Sequence, residues 1–160
     1  MPPFEIENLN SLKQFEGREF PATEWLAVTQ DRIQRFADAT EDRQWIHLDS
    51  ERARRESPFG GTIAHGFLTL SLLSYFLKQA IQIRAGVAMG VNYGLNKVRF
   101  PAAVRAGSPV RACVSLLAVK ESPEFVDARF LIHVESQAVE NQPSGRPCCV
   151  AEWLVRYYPQ

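Results

Sequence analysis

The sequence lacks several features that would assign it at once to a class of protein. It has no excess of charge, because 18 basic residues balance 18 acidic ones among 160. Without net charge there is no general field to attract nucleic acid or an anionic membrane, so we expect neither as a partner. Cys113, Cys148 and Cys149 are an odd number of cysteines with no Cys-x-x-Cys pair. They predict free thiols in a reducing compartment, with no disulfide and no metal.

Long hydrophobic runs are also missing. The longest apolar stretch, residues 66–77, is too short to cross a bilayer and is followed at once by Lys78 and Gln79. The N-terminus has no basic stretch followed by an apolar run, so we expect no secretory signal. Residues 90–94, GVNYG, lack the spacing of a nucleotide fingerprint, and no Gly-x-Ser-x-Gly elbow is present. These absences favour a cytoplasmic protein.

The chain length and the apolar periodicity predict one domain over residues 1–160. A short helix is expected within residues 5–16, and Thr29 begins a longer helix because its hydroxyl can cap the free N–H groups of the first turn. That helix has no apolar stripe after Ala39, so residues 42–49 are expected to form a loop. Asp49 or the serine after it then caps a short polar helix.

The second half of the sequence predicts a sheet around a helix. Residues 64–83 form the most hydrophobic helix candidate, apolar on nearly every side and therefore expected to be buried. Strands rich in Val, Phe and Tyr follow, with turns at 121–123 and 142–145 that imply antiparallel pairing; they cover residues 87–100, 109–120, 124–139 and 148–158. The pattern predicts an α+β fold in which a curved antiparallel sheet wraps around a central helix. Its edge strands could pair with a second copy.

The first candidate for chemistry is the pair Asp42 and His47. A carboxylate and an imidazole that share one water can polarise it and move its protons, and histidine both takes and gives a proton near neutrality. Trp45 and Ile46, between them, would supply an apolar wall. Taken alone, the pair favours a structural role, in which Asp42 only caps or turns the loop and His47 is only polar.

The second candidate is the segment containing His65 and Gly66, where the hydrophobic helix begins. The first turn of a helix has unpaired N–H groups and a partial positive charge. A glycine lets a ligand oxygen approach this backbone, which could hold a thioester carbonyl. The alternative is that Gly66 only permits close packing of helix and sheet. His133 alternates with apolar neighbours and is expected to be structural or to lie on the surface.

Three segments together resemble a known family. Residues 36–49, FADATEDRQWIHLD, are similar to the hydratase-2 motif of the MaoC-like (R)-specific enoyl-CoA hydratases. Residues 63–66, IAHG, resemble the family's second signature. Residues 92–101, NYGLNKVRFP, resemble the third, as found in the nodulation-protein-N-like and 3-hydroxyacyl-thioester dehydratase subgroup. The three occur in order, and the resemblance covers residues 18–158.

The resemblance implies a hot-dog fold, a homodimer joined edge to edge, and a hydro-lyase of fatty acid metabolism. The substrate would be an acyl-CoA or acyl-carrier-protein thioester, and no cofactor would be needed. It gives Asp42 and His47 the catalytic role on a bound water, and the Gly66 N–H the role of holding the thioester oxygen.

The sequence departs from the family pattern at Gln44 and Trp45, where many members have Asn-Pro. Both residues, with His65, could line the site and alter the shape of the acyl pocket. Ser74 falls where some members carry a site serine. Two other functions stay open: a thioesterase, which would release free thiol, and a non-catalytic binder of acyl thioesters, for which the pair would be dispensable.

Overall fold

The computed structural model describes residues 1–137 and 146–160, and its largest element is a curved, five-stranded antiparallel sheet. The strands are β1 (Phe4–Ile6), β2 (Leu26–Ala27), β3 (Ile81–Ile83), β4 (Val87–Arg99), β5 (Pro109–Glu121), β6 (Val126–Ser136) and β7 (Cys149–Pro159). The sheet order is β2-β5-β6-β7-β4, so three long strands with apolar alternation pair in sequence at its centre. A separate parallel pair joins β1 and β3.

In the part of the chain that the structure describes, the helices all lie between β1 and β3 in the sequence. A 3-10 helix, Leu9–Phe15, precedes α1 (Gln30–Thr40), α2 (Trp45–Leu48), α3 (Ser50–Glu56), α4 (Gly66–Ser71) and α5 (Leu73–Ala80). The two predicted caps are confirmed, because Thr29 accepts a hydrogen bond from the Arg32 N–H and Asp49 accepts one from the Arg52 N–H. Within the described ranges, no helix is both long and apolar enough to cross a membrane.

The core lies between the concave face of the sheet and α4 and α5. Burial alternates along β5, β6 and β7, so every second side chain points to the helices. On the helical side the buried residues are Leu68, Leu72, Leu73, Phe76, Leu77 and Ala80. The predicted α+β arrangement, with a curved antiparallel sheet against a central helix, is confirmed.

The hydrophobic helix differs from its prediction in three ways. It is divided at Leu72, and its last predicted turn is the strand β3, where Ile81 and Ile83 suit an extended backbone. The division follows Ser71, whose hydroxyl donates to the Phe67 carbonyl at 2.7 Å, a back-bond that bends helices. The helix is also not buried on every side, because Phe67 is 68% exposed in the single chain.

Two further predictions need correction. Residues 42–49 are not all loop, since α2 forms there; its backbone bonds join His47 N–H to Gln44 O and Asp49 N–H to Trp45 O. The predicted helix at residues 5–16 is instead the end of β1 followed by the 3-10 helix. The turn predicted at 142–145 lies outside the described residues.

Candidate active site

Asp42 is placed by the end of α1. The helix ends at Thr40, and Glu41 adopts a left-handed conformation with φ of 61°. Such a residue reverses the chain after a helix and is normally glycine, because a Cβ disfavours this region. The reversal brings Asp42 beside the segment that precedes α4, with its carboxylate still half exposed.

His47 lies on α2 and, in contrast to the predicted loop position, is 94% buried. Its Nδ1 is 2.7 Å from the carbonyl oxygen of Ile63. A carbonyl can only accept, so Nδ1 carries the hydrogen and Nε2 keeps a lone pair. The hydrogen bond therefore fixes the tautomer in which Nε2 can accept a proton.

A second contact holds the backbone of His47, and no local sequence pattern indicates it. Gln30, at the start of α1, donates from Nε2 to the His47 carbonyl at 2.7 Å. The hydroxyl of the buried Thr62 donates to Gln30 Oε1 at 2.5 Å. These bonds join three separate segments of the chain around the histidine.

His65 completes the cluster. Its ring stacks on that of His47 with centroids 3.7 Å apart and planes inclined by 25°. Its Nε2 donates to the backbone carbonyl of Asp42 at 2.9 Å and lies 4.0 Å from the Asp42 carboxylate. Asp42, His47 and His65 each offer one atom that could bind a metal ion, a carboxylate oxygen or a ring nitrogen, and these three atoms lie within 4.8 Å of one another. Zn²⁺ accepts such donors, so the absence of a metal stays a prediction.

The surroundings of His47 favour its neutral form. Burial lowers the pKa of His47 below its ordinary value of 6.5, and the neighbouring His65 lowers it further. The hydrogen bond to Ile63 and the Asp42 carboxylate act in the opposite direction, raising the pKa, but with smaller effect than burial. At neutral pH the side chain is therefore an uncharged base.

This pKa shift predicts a loss of stability in acid. The pKa of His47 is lower in the folded state than in the unfolded state. The contribution of this side chain to the free energy of unfolding is therefore complete above pH 6.5 and is lost as the pH falls towards the lowered pKa. We expect the free energy of unfolding, measured by urea titration, to fall as the pH drops below about 6.5, where the unfolded side chain takes up a proton and the folded one does not. His47→Gln should make this fall shallower, whereas His133→Gln, at an exposed position on β6, should not. Equal slopes in wild type and His47→Gln would contradict the prediction.

Gly66 is the first residue of α4, directly after His65. Within residues 1–137 and 146–160, neither its N–H nor that of Phe67 donates to another group, as expected in a first helical turn. A Cβ on Gly66 would lie 3.0–3.1 Å from the Phe100 ring. The glycine therefore allows this packing, and with Phe100 and Thr69 it lines a cavity of about 350 Å³.

The other predicted site residues lie at different distances from the cluster. Gln44 is exposed and precedes α2, and Trp45 is half-buried with the Arg52 guanidinium 4.2 Å from the centre of its ring. Ser74, on α5, lines a cavity of about 670 Å³ with Asn92 and Trp153. Neither Asp42 nor His47 lines that cavity. The structure thus brings together Asp42, His47, His65 and the start of α4, whereas Ser74 lines a different cavity from the one that Gly66 lines.

The cysteines are free, as predicted. Cys148 and Cys149 are buried and Cys113 is half-buried. Burial raises the pKa of Cys148 to about 12 and that of Cys149 to about 11, so neither is a thiolate near neutrality.

Comparison with known proteins gives a consistent result. The domain family described as MaoC like domain matches residues 12–136. A 3-hydroxyacyl-thioester dehydratase Z of Mycobacterium tuberculosis is 45% identical over 152 residues, which cover 95% of this chain and 97% of that protein. A nodulation protein N of Rhizobium leguminosarum bv. viciae is 45% identical over 139 residues, covering 87% of this chain and 84% of the relative.

Solved structures support the fold. An (R)-hydratase from A. caviae, involved in PHA biosynthesis, superimposes with a TM-score of 0.67 at 23% identity, covering 88% of this chain and 94% of that one. At this identity the likeness concerns the fold alone. The expected hot-dog fold is confirmed by it and by the sheet and helix described above.

Proposed function

Because this chain belongs to the MaoC-like domain family, we propose that it catalyses the reversible hydration of trans-2-enoyl thioesters to (R)-3-hydroxyacyl thioesters. Its activity is that of a hydro-lyase on acyl thioesters, as in the relatives named dehydratases. The observation that carries the proposal is the grouping of Asp42 with a neutral His47 whose Nε2 is free to accept a proton.

The proposed steps follow from the geometry of the cluster. A water between Asp42 and His47 adds its oxygen to C3 while its proton moves to His47 Nε2. The Asp42 carboxylate accepts a hydrogen bond from the O–H that stays on this oxygen, and it stabilises the imidazolium that forms. The electron pair of the double bond moves towards the thioester, and C2 then receives the proton from His47. The atoms of one water are thus added across C2 and C3.

Gly66 has the role of an oxyanion donor in this proposal. The negative charge of the enolate-like intermediate develops on the thioester oxygen, and a preorganised N–H aimed at that oxygen lowers its energy. The support is the position of the Gly66 N–H in the first turn of α4, next in sequence to His65, beside a cavity. The thioester acidifies C2 by itself, so the proposal includes no metal and no redox cofactor.

The substrate in this proposal is an acyl-CoA or acyl-carrier-protein thioester. The half-exposed Asp42 carboxylate leaves the cluster open to a ligand from outside. Gln44 and Trp45 lie just before His47, where they could limit the acyl chain. A location in the cytoplasm stays a prediction from the sequence.

The test of the proposal uses one sample and two readouts. Given a short trans-2-enoyl-CoA, the purified protein should remove the enoyl absorbance and form the (R)-3-hydroxyacyl-CoA, identified by chiral chromatography. Release of free thiol without enoyl loss would instead indicate a thioesterase. No reaction with short or long chains would indicate a binder, and an (S) product would contradict the stereochemistry.

We also propose that the protein is a homodimer joined through β4. This strand lies at the edge of the sheet and pairs with β7 on one side. It is thirteen residues long and exposes a row of apolar side chains, Met89, Val91, Tyr93 and Leu95. A long apolar edge of this kind is a template for pairing with another strand.

If the protein is a dimer joined through β4, negative charges introduced on this strand should separate it into monomers. Light scattering should give twice the chain mass of 18.1 kDa at micromolar concentration. Placing Glu at both Met89 and Leu95 should give monomers, because the carboxylates would be buried without partners in the interface. Gln14→Glu, on the exposed side of the 3-10 helix, is the control and should stay dimeric. A monomeric wild type would contradict the prediction.

A further inference from the structure

We propose that His65 is a positioning residue that holds both members of the catalytic pair, through its N–H on the Asp42 backbone and its ring on His47. This inference rests on the proposed function, since positioning has a meaning only for groups that act. The resemblance gave His65 no role beyond lining the site. His65 makes two contacts, a hydrogen bond to the Asp42 backbone and a ring stack on His47, and each contact can be removed by a separate substitution.

The first contact fixes where Asp42 lies. Asp42 follows the left-handed Glu41 and has an exposed side chain, so little packing restrains it. The hydrogen bond from His65 Nε2 to its backbone carbonyl, at 2.9 Å, ties the end of α1 to the start of α4. The bond is between groups 23 residues apart in sequence, and it sets the distance from the carboxylate to His47.

The second contact fixes the orientation of the His47 ring. The His65 ring contacts two other rings: that of Phe36, with centroids 5.0 Å apart, and that of His47, with centroids 3.7 Å apart. A ring stacked at this distance cannot flip without moving its neighbour. The stack therefore keeps His47 Nδ1 on the Ile63 carbonyl and Nε2 available for the water.

His65 itself is poorly placed to exchange protons. It is 98% buried, and its Nε2 is engaged with Asp42. Its Nδ1 is buried and has no hydrogen-bond partner within the described part of the chain. Because His65 neither reaches solvent nor has a free proton to donate, we infer that it acts through the residues it contacts, Asp42 and His47.

Two substitutions separate the contacts. His65→Phe keeps an aromatic ring against His47 but loses the donor to Asp42. His65→Gln keeps an N–H at a similar distance from the backbone but loses the stack. We expect each to lower kcat by about 10- to 100-fold, the usual effect of removing an orienting contact, with KM changed by less than about threefold. His133→Gln is the matched control and should retain wild-type kcat.

A double-mutant cycle tests whether His65 acts through the pair. In the Asp42→Asn background, His65→Phe should lower kcat very little. The carboxamide is already inactive, so moving it out of position has no further effect on the rate. Circular dichroism and urea titration establish that the variants are folded. Full additivity in the cycle, or a rise in KM with unchanged kcat in both folded variants, would overturn the proposal.

A measurement independent of activity distinguishes this inference from the proposed function. The chain has only three histidines, so their ring nitrogens can be assigned by ¹⁵N NMR. In wild type and His65→Phe, His47 should be the single tautomer with hydrogen on Nδ1, whereas His65→Gln should show a mixture. If the wild type is inactive but gives these spectra, the result would contradict the proposed function and would still support the positioning of His47 by His65. A single His47 tautomer in all three proteins would contradict the proposal that stacking by His65 orients the His47 ring.

Discussion

Asp42→Asn and His47→Ala should each lower kcat by roughly 10²–10⁴-fold, the range expected for the loss of an acid–base group. Asparagine has the shape of aspartate but no charge to orient the water or to stabilise an imidazolium. Alanine removes the Nε2 lone pair that the hydrogen bond to Ile63 keeps free. The measurement is the initial rate of enoyl loss under saturating substrate.

The two substitutions should differ in their effect on stability. The Asp42 side chain is half exposed, so Asp42→Asn should unfold at the same urea concentration as wild type. His47 is buried and bonded to Ile63, and its removal leaves that carbonyl without its donor, at a cost of about 1–3 kcal/mol. His47→Gln fills more of the space and is the better partner for kinetic comparison.

The double mutant and a matched control complete this test. If the two residues act on one water, the double mutant should lose little beyond the worse single mutant. Asp31→Asn removes an exposed carboxylate on α1 that pairs with Arg35 four residues later, and it should leave kcat unchanged. Near-normal turnover in folded Asp42→Asn would remove Asp42 from the mechanism.

The fold could be predicted from the sequence where local pattern and burial agree. The alternation in β5, β6 and β7 has a period of two because one face of each strand packs on the helices. The helix caps at Thr29 and Asp49 are equally local. The break at Leu72 and the strand β3 were missed because apolar residues on all sides fit a buried helix and a buried strand alike.

The candidate site could be predicted only in part, and for a similar reason. Asp42 and His47 are close in sequence, so their proximity could be expected from a turn between them. The contacts that orient them come from distant segments: Gln30 on the His47 carbonyl, and His65 on both residues. Such contacts depend on how α1 and α4 pack, which no local pattern records. Short α2 is likewise held by these tertiary bonds, because four residues cannot support a helix by themselves.

The role of the Gly66 N–H predicts a second large effect, which can be separated from packing. Any side chain at this position meets the Phe100 ring at 3.0–3.1 Å, so a simple substitution would confuse the loss of a donor with a clash. Phe100→Ala removes the ring and provides a background in which Gly66 can be changed. In that background Gly66→Ala keeps the N–H, whereas Gly66→Pro replaces it with a ring carbon.

The backbone is suited to both residues. Proline is favoured at the first position of a helix, which Gly66 occupies. The residue before a proline must be extended, and His65 has φ of −60° and ψ of 137°. The two double variants should therefore have similar urea midpoints, and a difference in rate between them reports on the donor itself.

Relative to Gly66→Ala/Phe100→Ala, the proline variant should lower kcat by about 10²–10³-fold, as for the loss of one oxyanion donor. KM should change less than kcat, because the hydrogen bond strengthens only when charge develops on the thioester oxygen. The measurement is the steady-state rate of enoyl hydration by both variants beside the Phe100→Ala parent. Equal kcat values in the alanine and proline variants, with both folded, would show that the thioester oxygen is held by another donor.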